Sequence, residues 1–361
     1  FGLFFEDINY SADGGLYAEL IQNRSFEYSP TDRRDWNSLS YWEYTTPGYS
    51  YGSISVETSS PLHPNNPHYV VLDIEHVGNE KEHVGLSGVG IKNKGFDGIL
   101  VKKGDDYNLS MFVRQLSTDP VSLSVILQNP NGDILAEEKI STSSTDWKQY
   151  TTKLTALESS DSASLFILAT NTGKLAFDVI SLFPQKTFKE RSNGLRPDLA
   201  QALADMKPRF IRFPGGCLVH GSGLGNMYRW KNTIGPIEQR VEQPNLWGYH
   251  QTGGLGYFEY FQFCEDVGAI PLPVLPAAVS CQNSGGTWRI GGTGQRALPL
   301  EDMGEYIQEV LDLIEWANGP VTSTWGAKRA AAGHPDRTGV VHARRGRLHG
   351  RRRVRVHHRP L

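Results

Sequence analysis

The chain has 361 residues, 39% of them hydrophobic and 21% charged, which is enough for two domains with apolar cores. It contains no run of 18 apolar residues that could cross a membrane. Its three cysteines, Cys217, Cys264 and Cys281, are odd in number and lack metal-type spacing, which argues against a disulfide scaffold and a structural zinc site. The net charge of −3 hides an asymmetry. Residues 337–361 hold nine Arg and no Lys, Asp or Glu; taking those nine from 36 basic residues leaves 27 against 39 acidic ones over 1–336, or −12.

The chain begins at Phe1 without Met, and Phe1–Phe5 reads as a strand, so any signal peptide is expected upstream. Leu16–Ile21 reads as a helix entered through Asp13-Gly14-Gly15. From about residue 28 to 186 the pattern alternates with period two: Ser53–Glu57, Tyr69–Ile74, Leu109–Val113, Val121–Val125, Leu165–Ala169 and Leu175–Val179. Asn131-Gly132 and Lys103-Gly104-Asp105 are turn signals within it. No helix-period segment interrupts this block, which predicts an all-β sandwich or jelly roll.

Beyond it, helix and strand alternate. Leu195, Leu199, Ala202, Leu203 and Met206 mark a helical stripe stopped by Pro208, and Phe210–Phe213 is a strand. Tyr257–Val267 is a helix closed by Gly268, followed by a strand over Ile270–Leu275. Met303, Ile307, Val310, Leu311 and Ile314 mark a third helix, closed by Gly319-Pro320. Such alternation predicts a parallel sheet or barrel. With only three strands visible, the fold class is α/β: an incomplete (β/α)8 barrel with an inserted all-β domain. The expected division is 1–28 as the first strand–helix unit, 29–186 as the inserted sandwich, 187–335 as the barrel continuation and 336–361 as an Arg-rich tail.

The tail has two readings. One is a basic arm for nucleic acid; the other is a frameshifted, disordered end, since Arg, Gly, His, Val and Pro without Lys is what a GC-rich gene gives out of frame. Residues 1–336, at −12, would repel phosphate, so nucleic acid is not an expected partner.

Chemistry-bearing motifs cluster after the strands. Arg212-Phe-Pro-Gly-Gly-Cys217 directly follows one, where parallel barrels build their active face; Gly215-Gly216 permits a tight turn and close approach. Glu6-Asp7 ends the first strand and could hydrogen-bond sugar hydroxyls or cap a helix. Gly221–Gly225 and Gly291–Gly294 lack the strand–turn–helix context of a dinucleotide site, and no cofactor or metal is expected. Trp230 and Trp247 could stack on a sugar face; Trp36, Trp42 and Tyr44 could form a platform or fill the sandwich core. His220 and His250 receive no role.

Several ordered motifs resemble the α-L-arabinofuranosidases of glycoside hydrolase family 51: Phe4–Asn9, Gly14–Glu19, Ile211–Cys217, Tyr228–Asn232, Ile234–Arg240 and Trp247–His250. The inserted block resembles the carbohydrate-binding-like jelly roll of one subgroup of that family. The resemblance implies a (β/α)8 barrel and retaining hydrolysis of terminal arabinofuranosyl groups from arabinoxylan or arabinan, by two carboxylates about 5–5.5 Å apart. It also implies an arabinose-containing oligo- or polysaccharide as partner, no membrane association, possible oligomers of the intact enzyme and a secreted or periplasmic location. Glu6, Cys217 and Trp247 match substrate-binding positions. The family's acid/base Glu follows an Asn after the fourth strand, and its nucleophile lies near the seventh. Here the resemblance runs to Pro335 and the Arg-rich tail follows, so neither catalytic Glu is assigned and the chain alone is expected to be inactive. Asn79-Glu80 sits in a loop of the inserted block and is read as a decoy. The alternatives are an endoglucanase of the same family and a non-catalytic carbohydrate-binding protein.

Overall fold

A computed structural model describes residues 1–78, 85–282 and 295–335, together with two short strands beyond them. It divides into two compact units, Tyr10–Ala200 and a second built from Phe1–Asn9 and Gln201 onward.

Strand β1 (Leu3–Phe4) belongs to the second unit. The first is an antiparallel two-sheet sandwich. Its strands are β2 (Trp42–Thr45), β3 (Tyr51–Glu57), β4 (Tyr69–His76), β5 (Val89–Asn93), β6 (Ile99–Val101), β7 (Asp106–Gln115), β8 (Val121–Gln128), β9 (Ile134–Thr142), β10 (Lys148–Thr155), β11 (Ser160–Ala169) and β12 (Gly173–Pro184). One sheet runs β10-β7-β12-β4-β3, the other β2-β5-β11-β8-β9, with β6 added on β11. Alternation puts Val70, Leu72, Leu109, Met111, Val113 and Phe177 of the first sheet against Ile91, Val125, Leu165 and Ile167 of the second, all at most 1% exposed. The strands missing from the sequence reading are the short or polar ones. β10 alternates without apolar residues except near its end, and β9 is exposed through Glu137–Lys139.

Leu16–Ile21 is not a helix. It runs extended, because its backbone groups are taken by other segments. Tyr17 bridges Leu195, Ala18 N–H donates to Gly194 O (3.1 Å), and Leu20 N–H donates to Leu182 O (2.9 Å). The Glu19 carboxylate accepts from the Ile21 and Leu182 amides at 3.0 and 2.9 Å. With Leu16, Tyr17, Ala18 and Ile21 all buried, tertiary pairing overrides the local helical pattern.

In the second unit, β13 (Phe210–Phe213) lies between β1 and β16 (Ile270–Pro273), parallel to both, in register Phe4↔Arg212 and Phe213↔Pro273. Between them lie β14 (Gln243–Asn245) and β15 (Tyr249–Gln251), which pair with each other. The helices are α1 (Pro197–Asp205), α2 (Cys217–His220), α3 (Tyr257–Val267), α4 (Gly304–Asn318) and α5 (Thr324–Ala331). Gly268, in the left-handed region at φ 69°, ends α3. Helix α5, unread in the sequence, starts at Ser323, whose side chain accepts from Gly326 N–H.

The core here is aromatic. Phe213 stacks on Tyr260 at 4.7 Å and meets Tyr257 and Phe261 edge-on. Trp230 contacts Trp316 and Trp325. The expected α4 stripe is only partly buried: Met303, Val310 and Ile314 are half-buried but Ile307 and Leu311 are exposed, and Tyr306, Leu313 and Trp316 form the fully buried face. Glu309 and Asp312 can join that buried face because Arg229 and Lys231 pair with them.

Asn79-Glu80, Gly291–Gly294 and most of the tail lie outside the described residues. Within the tail, β17 (Ala343–Arg345) and β18 (Val354–Val356) pair antiparallel, a strand pair absent from the sequence reading.

Candidate functional site: a carboxylate held by a glycine turn

Parallel sheets bind ligands beyond the carboxyl ends of their strands, where loops diverge. Glu6 follows β1 at that end, and Gly215-Gly216-Cys217 follows β13. Backbone bonds hold the two segments together: Phe5 N–H donates to Arg212 O at 2.8 Å and Asp7 N–H to Pro214 O at 3.1 Å.

Glu6 Oε1 accepts from Gly216 N–H at 2.8 Å and Leu218 N–H at 3.1 Å, so the carboxylate is fixed on the amides either side of Cys217. This explains Gly215. A Cβ there would lie 2.7 Å from Glu6 Cγ and 2.8 Å from Oε1. The close approach read from the sequence is made by the protein's own carboxylate. A Cβ on Gly216 would lie 3.7 Å from Arg212 Nη2 and 3.9 Å from Glu6 Oε1, so a guanidinium and a carboxylate flank this turn. The Arg212 guanidinium also lies 4.3 Å from the Phe4 ring centre. Arg212 was not singled out in the sequence, although it opens the motif; its signal was its place directly before Phe213-Pro214 and the glycine pair.

Cys217 opens α2 and is partly exposed. The Cys281 thiol is one of its neighbours. Gln282 joins them: its Nε2 is 3.7 Å from Cys217 Sγ, and Cys281 Sγ donates to its Oε1 at 3.4 Å. Burial, the neighbouring Cys281 thiol and the Glu6 charge push the Cys217 thiol up to about 11.

Trp247 sits on the turn between β14 and β15 and is 37% exposed. Its N–H donates to Asn245 Oδ1 (2.8 Å), while Asn245 Nδ2 donates to Asp7 O (3.1 Å). The structure thus sets Glu6 on the amides either side of Cys217, and ties the Trp247 turn to the residue after Glu6 through Asn245. Asp7 caps no helix; it is buried and accepts from Tyr249 Oη at 2.8 Å. Asn245 and Tyr249 were not singled out in the sequence, since a single polar residue on a three-residue strand carries no periodic signal.

Other candidates fall away as core. Trp230 is fully buried, with Nε1 donating to Glu309 O, so it stacks on no ligand. Trp36 stacks on Tyr28 at 4.7 Å, and Trp42 donates to Asn23 O; both are buried and form no platform. On the outer side of the five-stranded sheet, Trp147 packs edge-on against Tyr69, with the Arg114 guanidinium over both rings at 5.0 and 5.4 Å. The same unit has a cleft of about 960 Å³ lined by Asn108, Ser110, Thr151, Lys153 and Arg191 among others. Among the described residues, no group of three or more His, Cys, Asp or Glu could hold a metal, and no helix is long and apolar enough to cross a membrane.

Comparison with known proteins agrees with this division. An α-L-arabinofuranosidase 1 domain model matches residues 202–342, and a carbohydrate binding domain model matches 18–174. The chain is 39% identical to an extracellular exo-α-L-arabinofuranosidase of Streptomyces chartreusis, over 93% of this chain and 38% of the relative. It is 37% identical to α-L-arabinofuranosidase 1 of Arabidopsis thaliana, over 93% of this chain and 47% of that one. An arabinose-bound family 51 α-L-arabinofuranosidase structure superposes with a TM-score of 0.80 at 33% identity, covering 93% of this chain and 51% of that one. The chain spans about half or less of the length of these relatives. With both units matched in order and the fold shared along nearly its whole length, the chain is similar to the α-L-arabinofuranosidases of glycoside hydrolase family 51 over the part of them that it spans.

Proposed function

We propose that this chain supplies the sugar-recognition half of a retaining α-L-arabinofuranosidase, acting on terminal arabinofuranosyl groups of arabinoxylan or arabinan outside the cell. The observation that carries the reading is the Glu6 carboxylate, oriented by the Gly216 and Leu218 amides beside Cys217 and close to Arg212. A furanose carries several vicinal hydroxyls that both donate and accept. A fixed carboxylate accepts from two of them, and a guanidinium donates to their oxygens; such charge-assisted bonds are the strong ones. Trp247 presents a half-exposed ring for the apolar face of the sugar.

The three parallel strands would be the first three of a (β/α)8 barrel, with the sandwich inserted after the first. Bond cleavage by double displacement requires a nucleophile and an acid/base. No residue described here is assigned either role, so the chain by itself binds the sugar and does not turn it over. An extracellular relative and the sugar chemistry of the site support a secreted protein, with carbohydrate rather than nucleic acid or lipid as its partner.

The test is calorimetric titration of the full chain with methyl α-L-arabinofuranoside and with methyl β-D-glucopyranoside, alongside release of 4-nitrophenol from its α-L-arabinofuranoside. Binding of the arabinofuranoside, weakened at least tenfold by Glu6→Gln, without turnover is the expected result. A preference for the glucoside would favour an endoglucanase of the family. Turnover abolished by Glu6→Gln would give Glu6 a catalytic role and overturn the assignment.

A further inference from the structure

Three titratable groups meet at the glycine turn: the Glu6 carboxylate and two thiols from distant parts of the sequence. Cys281 is held there by backbone bonds. Its N–H donates to Gly221 O (3.1 Å), and Gly221 N–H donates back to Cys217 O (2.9 Å), so a single residue ties both cysteines to the end of α2. The Gln282 amide touches both sulfurs and so bridges the two thiols. Cys217 is partly exposed, whereas Cys281 is fully buried behind it. Cys264, the third cysteine, is buried in α3 and serves as an internal control.

We propose that Cys217 and Cys281 form a redox-sensitive dithiol site, closed to an intramolecular disulfide by small-molecule disulfides of the glutathione class, and that closure disables the sugar site. The order of events follows from access. The exposed Cys217 thiolate attacks one sulfur of the oxidant, forming a mixed disulfide and expelling one small thiolate. The Cys281 thiolate then attacks the Cys217 sulfur and expels the second. Two electrons pass to the oxidant, whose two thiolates take up the two protons released by the cysteines. The two segments are already side by side, because Gln282 bonds both sulfurs and Gly221 holds both backbones.

The consequence for binding rests on the reading of Cys217 as part of the sugar site. A sulfur–sulfur bond is about 2.05 Å, well under the separation of two unbonded sulfurs. Closure therefore draws the Cys217 sulfur away from the Glu6 side, and takes from Gln282 the thiol that donates to it. The high thiol pKa, caused by burial and by the adjacent carboxylate, makes closure slow near neutral pH. Only the thiolate attacks, so its rate rises about tenfold per pH unit below about 11. The site would thus stay reduced through brief exposure and close on prolonged exposure.

The full chain is incubated with glutathione disulfide at pH 7 and pH 9, then analysed by intact mass, peptide mapping and arabinofuranoside titration. The expected product is 2 Da lighter, carries a Cys217–Cys281 peptide link with Cys264 still a thiol, forms far faster at pH 9, and binds the sugar at least tenfold more weakly until dithiothreitol restores it. Cys281→Ser should stop at the mixed disulfide on Cys217; its unchanged melting temperature would show that it folds. Absence of the Cys217–Cys281 link at pH 9, or a link that leaves sugar affinity unchanged, would overturn the proposal. If the link forms but even the reduced chain binds no arabinofuranoside, the thiol site stands as a disulfide and its control of sugar binding fails together with the proposed function.

Discussion

The sandwich and the α/β unit build their interiors from different materials. The sandwich buries aliphatic side chains, such as Val70, Leu72, Val125 and Ile167, on two sheets whose strands all find antiparallel partners. The α/β unit buries rings and ions: Phe213, Tyr257, Tyr260, Trp230 and Trp316, with Arg240–Glu259 and Arg229–Glu309 set among them. Between the sheets the first arrangement needs little beyond volume and alternation, its buried Glu19–Arg24 pair lying on the segment before β2. The second needs each polar group matched, because an unpaired buried charge costs several kcal/mol. A scaffold that must present a carboxylate, a guanidinium and a thiol at strand ends therefore depends on specific pairs, and a module that presents a sheet face does not.

The largest effects should come from the two interiors. Phe177→Ala in the sandwich and Trp316→Ala in the α/β unit each remove a fully buried ring, at roughly 3–5 kcal/mol. Calorimetry of the full chain should show each variant lowering a different transition. A single transition lowered equally by both would erase the distinction between the units.

Arg240→Met comes next. The guanidinium donates to Gly253 and Gly254 carbonyls at 2.9 and 2.8 Å, and to both Glu259 oxygens, also at 2.9 and 2.8 Å. Its loss leaves Glu259 buried and uncompensated, a cost of about 3 kcal/mol or more. The double variant Arg240→Met/Glu259→Leu should recover part of that in denaturant titration, whereas an isolated pair of little consequence would leave both variants like the parent chain.

At the site itself the effect should be smaller and local. Gly215→Ala places a Cβ on the Glu6 carboxylate, an overpacking cost of about 1–3 kcal/mol. Sugar binding should fall by tenfold or more, while the melting temperature of the α/β unit drops by only several degrees. Equal loss of both would make Gly215 a folding residue and nothing else.

The smallest effect separates the units by pH. The Glu27 carboxylate bonds His68 Nδ1 at 2.6 Å in the sandwich and raises the imidazole pKa above its ordinary value. The folded state then binds more proton than the unfolded one. The stabilisation is full below about pH 6.5 and is lost as pH rises through the raised value. With the imidazole 36% exposed, it amounts to no more than a few tenths of a kcal/mol. The sandwich transition should lose this increment on alkalinisation, and His68→Gln should remove the dependence.

How much of this was legible in the sequence follows the same contrast. Alternating apolar residues announced β4, β7, β8, β11 and β12, because each has one face in the core. Strand β10 was hidden, since Lys148–Lys153 carries almost no apolar signal and the strand is held by its ladder to β7. Leu16–Ile21 misled because its residues are buried on all sides, which erases periodicity. In α4, Ile307 and Leu311 drew the stripe partly off the buried face, as pairing of Glu309 and Asp312 across the fold cannot be read locally. At the site, Glu6 and the Arg212–Cys217 turn stood out through strand-end position and glycine spacing, and the family resemblance singled out Glu6 and Cys217 within them. Arg212, Asn245 and the Cys281–Gln282 contact were not, because each depends on segments that meet only after folding.

The central claim is that the Glu6 carboxylate on the Gly216 and Leu218 amides receives an arabinofuranosyl group. The most direct test follows the backbone amide resonances of Gly216, Cys217 and Leu218 while methyl α-L-arabinofuranoside is titrated into the full chain. The three should shift together along one saturating curve, and the shifts should vanish in Glu6→Gln. Resonances that stay in place at saturating sugar, or that move equally in Glu6→Gln, would contradict it.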